Sequence, residues 1–74
     1  NPVTQIKYSI PEDGFISLRI YNLLGQQIAE LVNGIVKAGN HKVTFDGSYA
    51  ASGVYYYRLE AGNVVLVKKM LLIK

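Results

Sequence analysis

Apolar side chains recur at every second position in several short segments of this 74-residue chain. The pattern is clearest in residues 5–10, 15–21 and 41–46. Residues 54–59 add a run of β-prone residues that places two tyrosines and a leucine on one face. Because neighbouring side chains of a strand point to opposite faces, such alternation is typical of half-buried strands. The four segments are therefore predicted to be β-strands.

Turn-forming residues separate these segments. Pro-Glu-Asp-Gly at 11–14 and Asn-Leu-Leu-Gly at 22–25 are typical turns, since proline fixes φ and glycine tolerates a positive φ. Ala-Gly-Asn at 61–63 predicts a hairpin turn into a last strand at 64–73. The small-residue segment 46–53 is too long for a hairpin turn, and it suits a crossing between two sheets.

The segment 26–40 has a less regular pattern. Ile28, Leu31 and Val32 fit helical spacing. A single short helix would have little to pack on in a chain of strands, so a strand is preferred for residues 26–32. Asn33-Gly34 and the tripeptide at 38–40 are expected to bracket a loop or a short extra strand.

Six or seven short strands with frequent turns predict an all-β fold, a small antiparallel β-sandwich. The length allows one domain, residues 1–74. A chain of this size buries only about 60% of the surface that its unfolded form exposes. It contains no cysteine, so stability has to come from sheet hydrogen bonds and from burial of aliphatic and tyrosine side chains.

The last predicted strand combines apolar residues with two adjacent lysines, Lys68 and Lys69. Consecutive side chains face opposite ways, so a strand buried on both faces could not hold both. We expect an edge or near-edge strand that is apolar toward the sandwich, with both lysines at a bend or rim where they reach water.

The positive charge of the chain is concentrated in the same segment. Residues 1–60 carry equal numbers of basic and acidic side chains, so the net charge of +3 comes from Lys68, Lys69 and Lys74. Three lysines on one strand are too few for a nucleic-acid surface. They indicate either protection of a sheet edge or a charged recognition feature.

No arrangement of residues predicts catalysis. The one histidine, His41, is expected to be exposed at the entry to a strand, and one histidine cannot form a metal cluster alone. The acidic residues lie mostly in or beside turns, and the glycines are spread singly, so neither a carboxylate pair nor a phosphate loop is indicated. The sequence therefore predicts no enzyme activity, no metal and no cofactor.

The chain also lacks targeting and membrane signals of the usual kinds. Its apolar runs are far shorter than the ~20 residues that span a bilayer, so no transmembrane helix is expected. It opens with Asn1 instead of methionine, and no signal peptide is expected within these residues. We expect a piece of a longer protein whose missing part lies upstream.

Three consecutive tyrosines, Tyr55, Tyr56 and Tyr57, place aromatic rings on both faces of one strand. Exposed rings could stack on a carbohydrate or contact a peptide. Packing of Tyr55 and Tyr57 in or beside the core, with Tyr56 on the outer face, is the favoured interpretation, because tyrosine is a strong strand former and this strand should be central.

An ordered set of motifs resembles the type A C-terminal sorting domain of the type IX secretion system, also known as the Por secretion system sorting domain. The resemblance covers essentially the whole chain. Its motifs are Asn1-Pro2, Thr4-x-Ile6-x-Tyr8, Ile10-Pro11, Tyr21-Asn22-x-Leu24-Gly25-Gln26, Ala38-Gly39, Ser52-Gly53-Val54-Tyr55-x-Tyr57-Arg58-Leu59 and Lys68-Lys69-Met70.

The resemblance implies a fold and a targeting role. The fold would be an immunoglobulin-like β-sandwich at the end of a cargo protein of a Gram-negative bacterium. The domain would be recognised in the periplasm by a shuttle protein and the outer-membrane translocon. A sortase-like peptidase would then remove it, upstream of Asn1, and join the cargo to a surface lipopolysaccharide. Its recognition features would map here to Gly53, Tyr55, Lys68, Lys69, Met70 and Lys74.

Two alternatives from other classes remain open at this point. One is a structural immunoglobulin-like module similar to the domain of the flagellar hook-capping protein. The other is a small carbohydrate-binding module that uses Tyr56 and its neighbours. All three hypotheses share the predicted fold, and they differ in which surface they use.

Overall fold

The computed structural model describes residues 3–73, which form six antiparallel strands and, within that range, no helix. The strands pair into two sheets: β1 pairs with β4, and the other four have the order β3-β2-β5-β6. The predicted all-β sandwich is confirmed, and its two-layer arrangement is consistent with a small immunoglobulin-like sandwich. The strands are β1 Val3–Ile10, β2 Gly14–Asn22, β3 Gln27–Val36, β4 Gly39–Asp46, β5 Gly53–Ala61 and β6 Val64–Leu72.

The core lies between the two sheets and is centred on β2. Ile16, Leu18 and Ile20 of this strand are at most 2% exposed, as their alternation predicts. Fully burying an aliphatic side chain of this size stabilises the fold by about 1.5–3 kcal/mol. The other buried apolar residues come from the facing sheet and from the neighbouring strands of the same sheet: Ile6, Ile10, Phe45, Tyr55, Leu59 and Leu72.

The third strand differs from the expectation. Asn33 and Gly34, which were expected to begin a loop or a short extra strand, lie inside β3 and pair with β2. Two register shifts against β2 each leave one extra residue on β3, Leu31 and Ile28. Such β-bulges interrupt the alternation of side chains. The bulges explain why the apolar spacing of this segment resembled that of a helix.

The connection at residues 46–53 crosses from the two-stranded sheet to the four-stranded sheet, as predicted. A turn in which the Ala50 N–H donates to the Gly47 carbonyl oxygen, at 2.9 Å, starts this crossing. The side chain of Asp46 accepts hydrogen bonds from the backbone N–H of Ser48, at 3.0 Å, and from the Ser48 hydroxyl. The crossing therefore has a defined path into β5.

The unequal size of the two sheets determines what is exposed. Two strands cannot cover the whole inner face of four, and β4 lies near β3. At the other edge of the four-stranded sheet, Val64 and Leu66 of β6 point toward the uncovered side and are 65% and 40% exposed. The sandwich is thus incomplete beside β6.

Candidate functional site

The β5–β6 hairpin forms one edge of the four-stranded sheet. β5 is central, as predicted, and β6 is an edge strand that pairs with β5 alone among the described residues. The turn places Gly62 at φ 59°, where a side chain would be strained, and Gly62 is the first central residue of a two-residue loop. The pairing then continues without a register shift from Ala61↔Val64 to Gly53↔Leu72. The result is an edge of nine residues that no bulge interrupts.

The turn also determines which backbone groups of β6 face outward. A two-residue loop is closed by a residue pair that exchanges both hydrogen bonds, and the pattern alternates along an antiparallel ladder. Even-numbered residues of β6 therefore bond to β5. The outward N–H and C=O groups belong to the odd-numbered residues Val65, Val67, Lys69 and Leu71.

The far end of the hairpin brings several predicted recognition residues together. Tyr55 pairs with Met70, and Gly53 pairs with Leu72. Tyr55 is 7% exposed, and its hydroxyl donates a 2.6 Å hydrogen bond to the carbonyl oxygen of Ala51, four residues upstream. This is the type of contact made by the tyrosine corner of immunoglobulin-like sandwiches. Gly53 has φ 153°, which L side chains rarely adopt, so glycine is required where the crossing enters β5.

Lys68 and Lys69 lie on opposite faces of the sheet. Lys68 pairs with Tyr57 on the inner face, and Lys69 pairs with Tyr56 on the outer face. Both lysines are exposed, as predicted for a rim position. The ladder has no irregularity here, so the bend that was considered as an alternative to a rim is absent from the described hairpin. Lys68 reaches water from the inner face because the two-stranded sheet does not cover it.

The expectation that β6 is apolar toward the sandwich holds only at one end of the strand. Leu72 is buried and Met70 is half-buried, but every position from Val64 to Lys69 is exposed. On the outer face, Val65, Val67 and Leu71 are 52%, 55% and 62% exposed. Contiguous exposed apolar surface often marks an interaction site. The sequence pattern could not show that the opposite sheet ends before it reaches β6.

A groove opens between the sheets next to Lys68. Its walls are Tyr8 and His41 on one side and Tyr57, Leu66 and Lys68 on the other. The Tyr8 and His41 rings are stacked, with centroids 5.4 Å apart and an interplanar angle of 25°.

His41 is a structural residue in this groove. It is half-buried, so its expected exposure was wrong. Its Nε2 lies 2.6 Å from the carbonyl oxygen of Lys37 and donates a hydrogen bond to it. The alternation of β4 turns the ring inward, where it packs against Tyr8.

The carboxylates are dispersed over the structure. Glu30 pairs with Arg19 at 3.2 Å, and Glu60 pairs with Arg58 at 2.7 Å. Asp13 accepts a 2.7 Å hydrogen bond from the backbone N–H of Ala38. Residues 3–73 contain no cluster of three or more histidine and acidic side chains suited to a metal ion. Nor does this range contain a helix of the length and hydrophobicity needed to cross a membrane.

The outer face of the four-stranded sheet carries the charge pairs and two tyrosines. Arg19 pairs in register with Arg58, and Tyr21 pairs in register with Tyr56. Hydrogen bonding to Tyr21, and then to Glu30, raises the pKa of Arg19 further above its ordinary high value, so this side chain stays cationic. Tyr56 is half-buried and lies on the face predicted for it. Tyr21 is likewise half-buried, so neither ring of this in-register pair is fully exposed.

The turn predicted at residues 22–25 is present, but the exposure of its two leucines was not predicted. The side-chain oxygen of Asn22 accepts hydrogen bonds from the N–H groups of Leu24, at 3.0 Å, and Gln26, at 2.9 Å. This fixed turn holds Leu23 and Leu24 70% and 83% exposed. In the sequence, this turn is indicated by an asparagine directly before two leucines and a glycine. The asparagine side chain accepts the hydrogen bonds that the turn needs, so the leucines can stay exposed.

Residues 1–74 match the family of secretion system C-terminal sorting domains. The chain belongs to this family. Domains of this family are the C-terminal sorting signals of type IX secretion. The suspected resemblance and the main functional prediction are thereby confirmed. No curated protein matches the chain.

Membership of the sorting-domain family has three general consequences. The sorting domain acts as a signal, and the family is not one of known enzymes. It interacts with the secretion system and with an upstream cargo. That cargo is exported and becomes secreted or attached to the cell surface. The family match does not assign a role to any single residue of the sorting domain.

Five of the six predicted recognition residues lie in the described hairpin of the sorting domain. Tyr55 and Met70 are cross-strand neighbours, with Gly53 beside them. Lys68 and Lys69 follow toward the middle of β6 and point to opposite faces. The sixth residue, Lys74, lies outside the described residues. Sequence reasoning did not predict that Val64 to Val67 of this edge would be exposed.

Proposed function

We propose that residues 1–74 are a single sorting domain that the type IX machinery recognises at the free edge of β6. The observation that carries this proposal is the exposure of a straight, nine-residue, largely apolar edge strand. An extended segment of the partner would pair with the outward N–H and C=O groups of β6. Backbone hydrogen bonds give affinity in this mode of binding, and alternate side chains give specificity.

The proposed recognition residues divide into two groups by role. Lys68, Lys69 and Lys74 carry the positive charges that the partner recognises. Gly53 and Tyr55 are positioning residues: Gly53 permits the entry into β5, and Tyr55 anchors that entry through Ala51. Met70 is also a positioning residue, because it lies opposite Tyr55 and packs against the core near the end of β6.

The partners that we propose are the shuttle protein, the outer-membrane translocon and the sortase-like peptidase of the system. The domain would travel with its cargo through the periplasm and across the outer membrane. The peptidase would then cleave upstream of Asn1 and replace the domain with a lipopolysaccharide anchor. A folded sandwich without cysteines suits this route, because its stability does not depend on disulfide formation.

We further propose that the domain has no catalytic activity of its own. Its one histidine is engaged with Lys37 and Tyr8, and four carboxylates contact other groups of the fold. The chemistry of anchoring would be performed by the peptidase on the linker before this domain. The domain contributes recognition.

An export assay with charge reversal tests the proposed function. A reporter with a signal peptide is fused to the 74-residue chain in a bacterium that has the type IX system. The variant carrying Lys68→Glu and Lys69→Glu should remain in the periplasm. This variant keeps two like charges on the edge, so self-association of the edge does not account for the loss.

The matched control carries Lys7→Glu and Lys42→Glu. These lysines are exposed cross-strand neighbours in the two-stranded sheet, so the net charge changes equally. The control should be exported at the wild-type level. Normal export of the Lys68 and Lys69 variant, or of a chain lacking residues 68–74, would contradict recognition at this edge.

A further inference from the structure

Among residues 3–73, the two lysines at the middle of β6 have no acidic partner. The salt bridges of the described residues join Arg19 to Glu30 and Arg58 to Glu60, and no described lysine takes part in one. Lys68 and Lys69 lie in the middle of an edge that is otherwise apolar on both faces. Their charges are therefore available to a strand that pairs with β6.

The lysines also act against pairing of β6 with a second copy of itself. In the antiparallel register of full overlap, Lys68 would lie opposite Lys68 of the other copy, and in one of the next permitted registers Lys69 would lie opposite Lys69. Like charges directly opposite each other destabilise a sheet, whereas opposite charges stabilise it. A second copy of this edge is thus a poor occupant, and an acidic segment is a good one.

The straight register of β6 specifies where the acidic groups must be. In an antiparallel pair, residues opposite two consecutive positions are themselves consecutive, and they point to the same faces as their partners. One acidic side chain is needed on the inner face, opposite Lys68. The next residue supplies the other, on the outer face, opposite Lys69.

We propose that the occupant of the β6 edge is an extended segment with two adjacent acidic residues flanked by apolar ones. The proposal rests on the proposed function and names the chemistry of the partner at that same edge. The acidic pair meets Lys68 and Lys69. The flanking residues cover the exposed apolar side chains on both sides of the lysines: Val65, Leu66, Val67 and Leu71. The pairing is antiparallel, since antiparallel ladders are slightly more stable.

Three synthetic peptides and NMR titration of the 74-residue chain test this inference. Each peptide has nine residues, with valine and threonine around a central pair of glutamates, glutamines or lysines. The glutamate peptide should bind about tenfold more tightly than the glutamine peptide, because it adds two favourable cross-strand charge pairs. The lysine peptide should bind most weakly. Amide shifts should be concentrated in β6 and absent from β3.

Charge exchange provides the decisive control. The Lys68→Glu and Lys69→Glu variant should prefer the lysine peptide over the glutamate peptide, which reverses the order seen with the wild type. The Lys7→Glu and Lys42→Glu variant should keep the wild-type order. Equal binding of the glutamate and glutamine peptides, shifts located elsewhere, or no binding of any peptide would overturn the inference.

The peptide result and the export result can be told apart. If the peptides show no charge preference while the Lys68 and Lys69 variant is still retained in the periplasm, this inference fails and the proposed function stands. If that variant is exported normally, the proposal of recognition at β6 is wrong, regardless of the peptide result.

Discussion

The two edges of the four-stranded sheet are similar in length but differ in how they meet solvent. β3 has ten residues and two bulges, at Leu31 and Ile28, and a salt bridge from Glu30 to Arg19 lies between them. β6 has nine residues, no bulge and apolar side chains on both faces. Bulges, charges and short strands are the usual means by which proteins prevent an edge from pairing. β3 is protected by its shape, whereas β6 is protected only by Lys68 and Lys69.

This difference supports the proposal that β6 is the edge that pairs with a partner. A bulge distorts the ladder whatever the partner is, so it discourages edge pairing without selecting between partners. A charged pair repels a second copy but attracts a strand of opposite charge. The edges of the two-stranded sheet are different again, because their outward side chains are mostly polar: Gln5, Lys7, Ser9, Asn40, Lys42 and Thr44. Among the described edges, β6 combines two apolar faces with a lysine pair, Lys68 and Lys69, that repels a second copy and attracts a strand of opposite charge.

The largest effect on stability should come from the buried end of β6. Leu72→Ala removes a side chain that is 2% exposed, and it should lower the free energy of unfolding by about 2–5 kcal/mol. The matched control Leu71→Ala alters a neighbour that is 62% exposed and should cost less than about 0.5 kcal/mol. Urea denaturation measures both. Equal losses of unfolding free energy would show that Leu71 is packed as tightly as Leu72, contrary to their difference in exposure.

Removal of the two lysine charges from β6 should increase self-association of the chain. Replacing Lys68 and Lys69 by threonine should raise the self-association constant about tenfold, which corresponds to ~1.4 kcal/mol. Analytical ultracentrifugation measures this change. The same replacements at Lys7 and Lys42 remove equal charge from the two-stranded sheet and should leave the chain in its original state of association. An unchanged self-association constant in the first variant would show that Lys68 and Lys69 do not prevent pairing of β6 with a second copy.

The tyrosine at the start of β5 should have a moderate effect. Tyr55→Phe keeps the buried ring but removes the hydrogen bond to Ala51, and it should lower the free energy of unfolding by about 1 kcal/mol. Tyr57→Phe is the control on the same face and strand, because the Tyr57 hydroxyl makes no hydrogen bond within the described residues. Thermal and urea unfolding measure both variants. If the two variants lose equal stability, the contact with Ala51 does not anchor the crossing.

The smallest effect is expected at the β3 edge. Glu30→Gln removes an ion pair whose side chains are about one-third exposed, so the change should be at most ~0.5 kcal/mol and should shrink further at high salt. Urea denaturation at two salt concentrations measures it. A much larger, salt-independent loss would mean that the bulges depend on this pair and that the shape of β3 is less fixed than the backbone indicates.

The sequence was sufficient to predict the strands in which apolar and polar residues alternate regularly between clear turns. The buried positions of β2 follow directly from the pattern, and so do the crossing at 46–53 and the central place of β5. β3 was only partly predictable, because each bulge adds a residue and shifts the alternation onto the other face. Asn33 and Gly34 looked like a turn, but pairing with β2 outweighs their local preference.

The candidate site was predictable in its residues but not in its geometry. An adjacent lysine pair in an apolar strand implied an edge, and the structure places β6 there. The exposure of Val64 to Val67 depends on how far the facing sheet extends, which is a property of the whole fold. The half-burial of His41 likewise depends on Tyr8, which is distant in sequence. Residue pattern alone contains neither kind of information.

Export of a proline variant tests the central claim most directly. Val67→Pro removes an N–H group that faces the free edge of β6, and an edge strand tolerates proline at such a position without losing its internal ladder. Val67→Thr is the matched control, since threonine has nearly the same shape and keeps the N–H. Thermal unfolding should show that both variants are folded.

Our account predicts that the threonine fusion is exported and that the folded proline fusion stays in the periplasm. Export of a folded Val67→Pro fusion at the wild-type level would contradict recognition by strand pairing at β6.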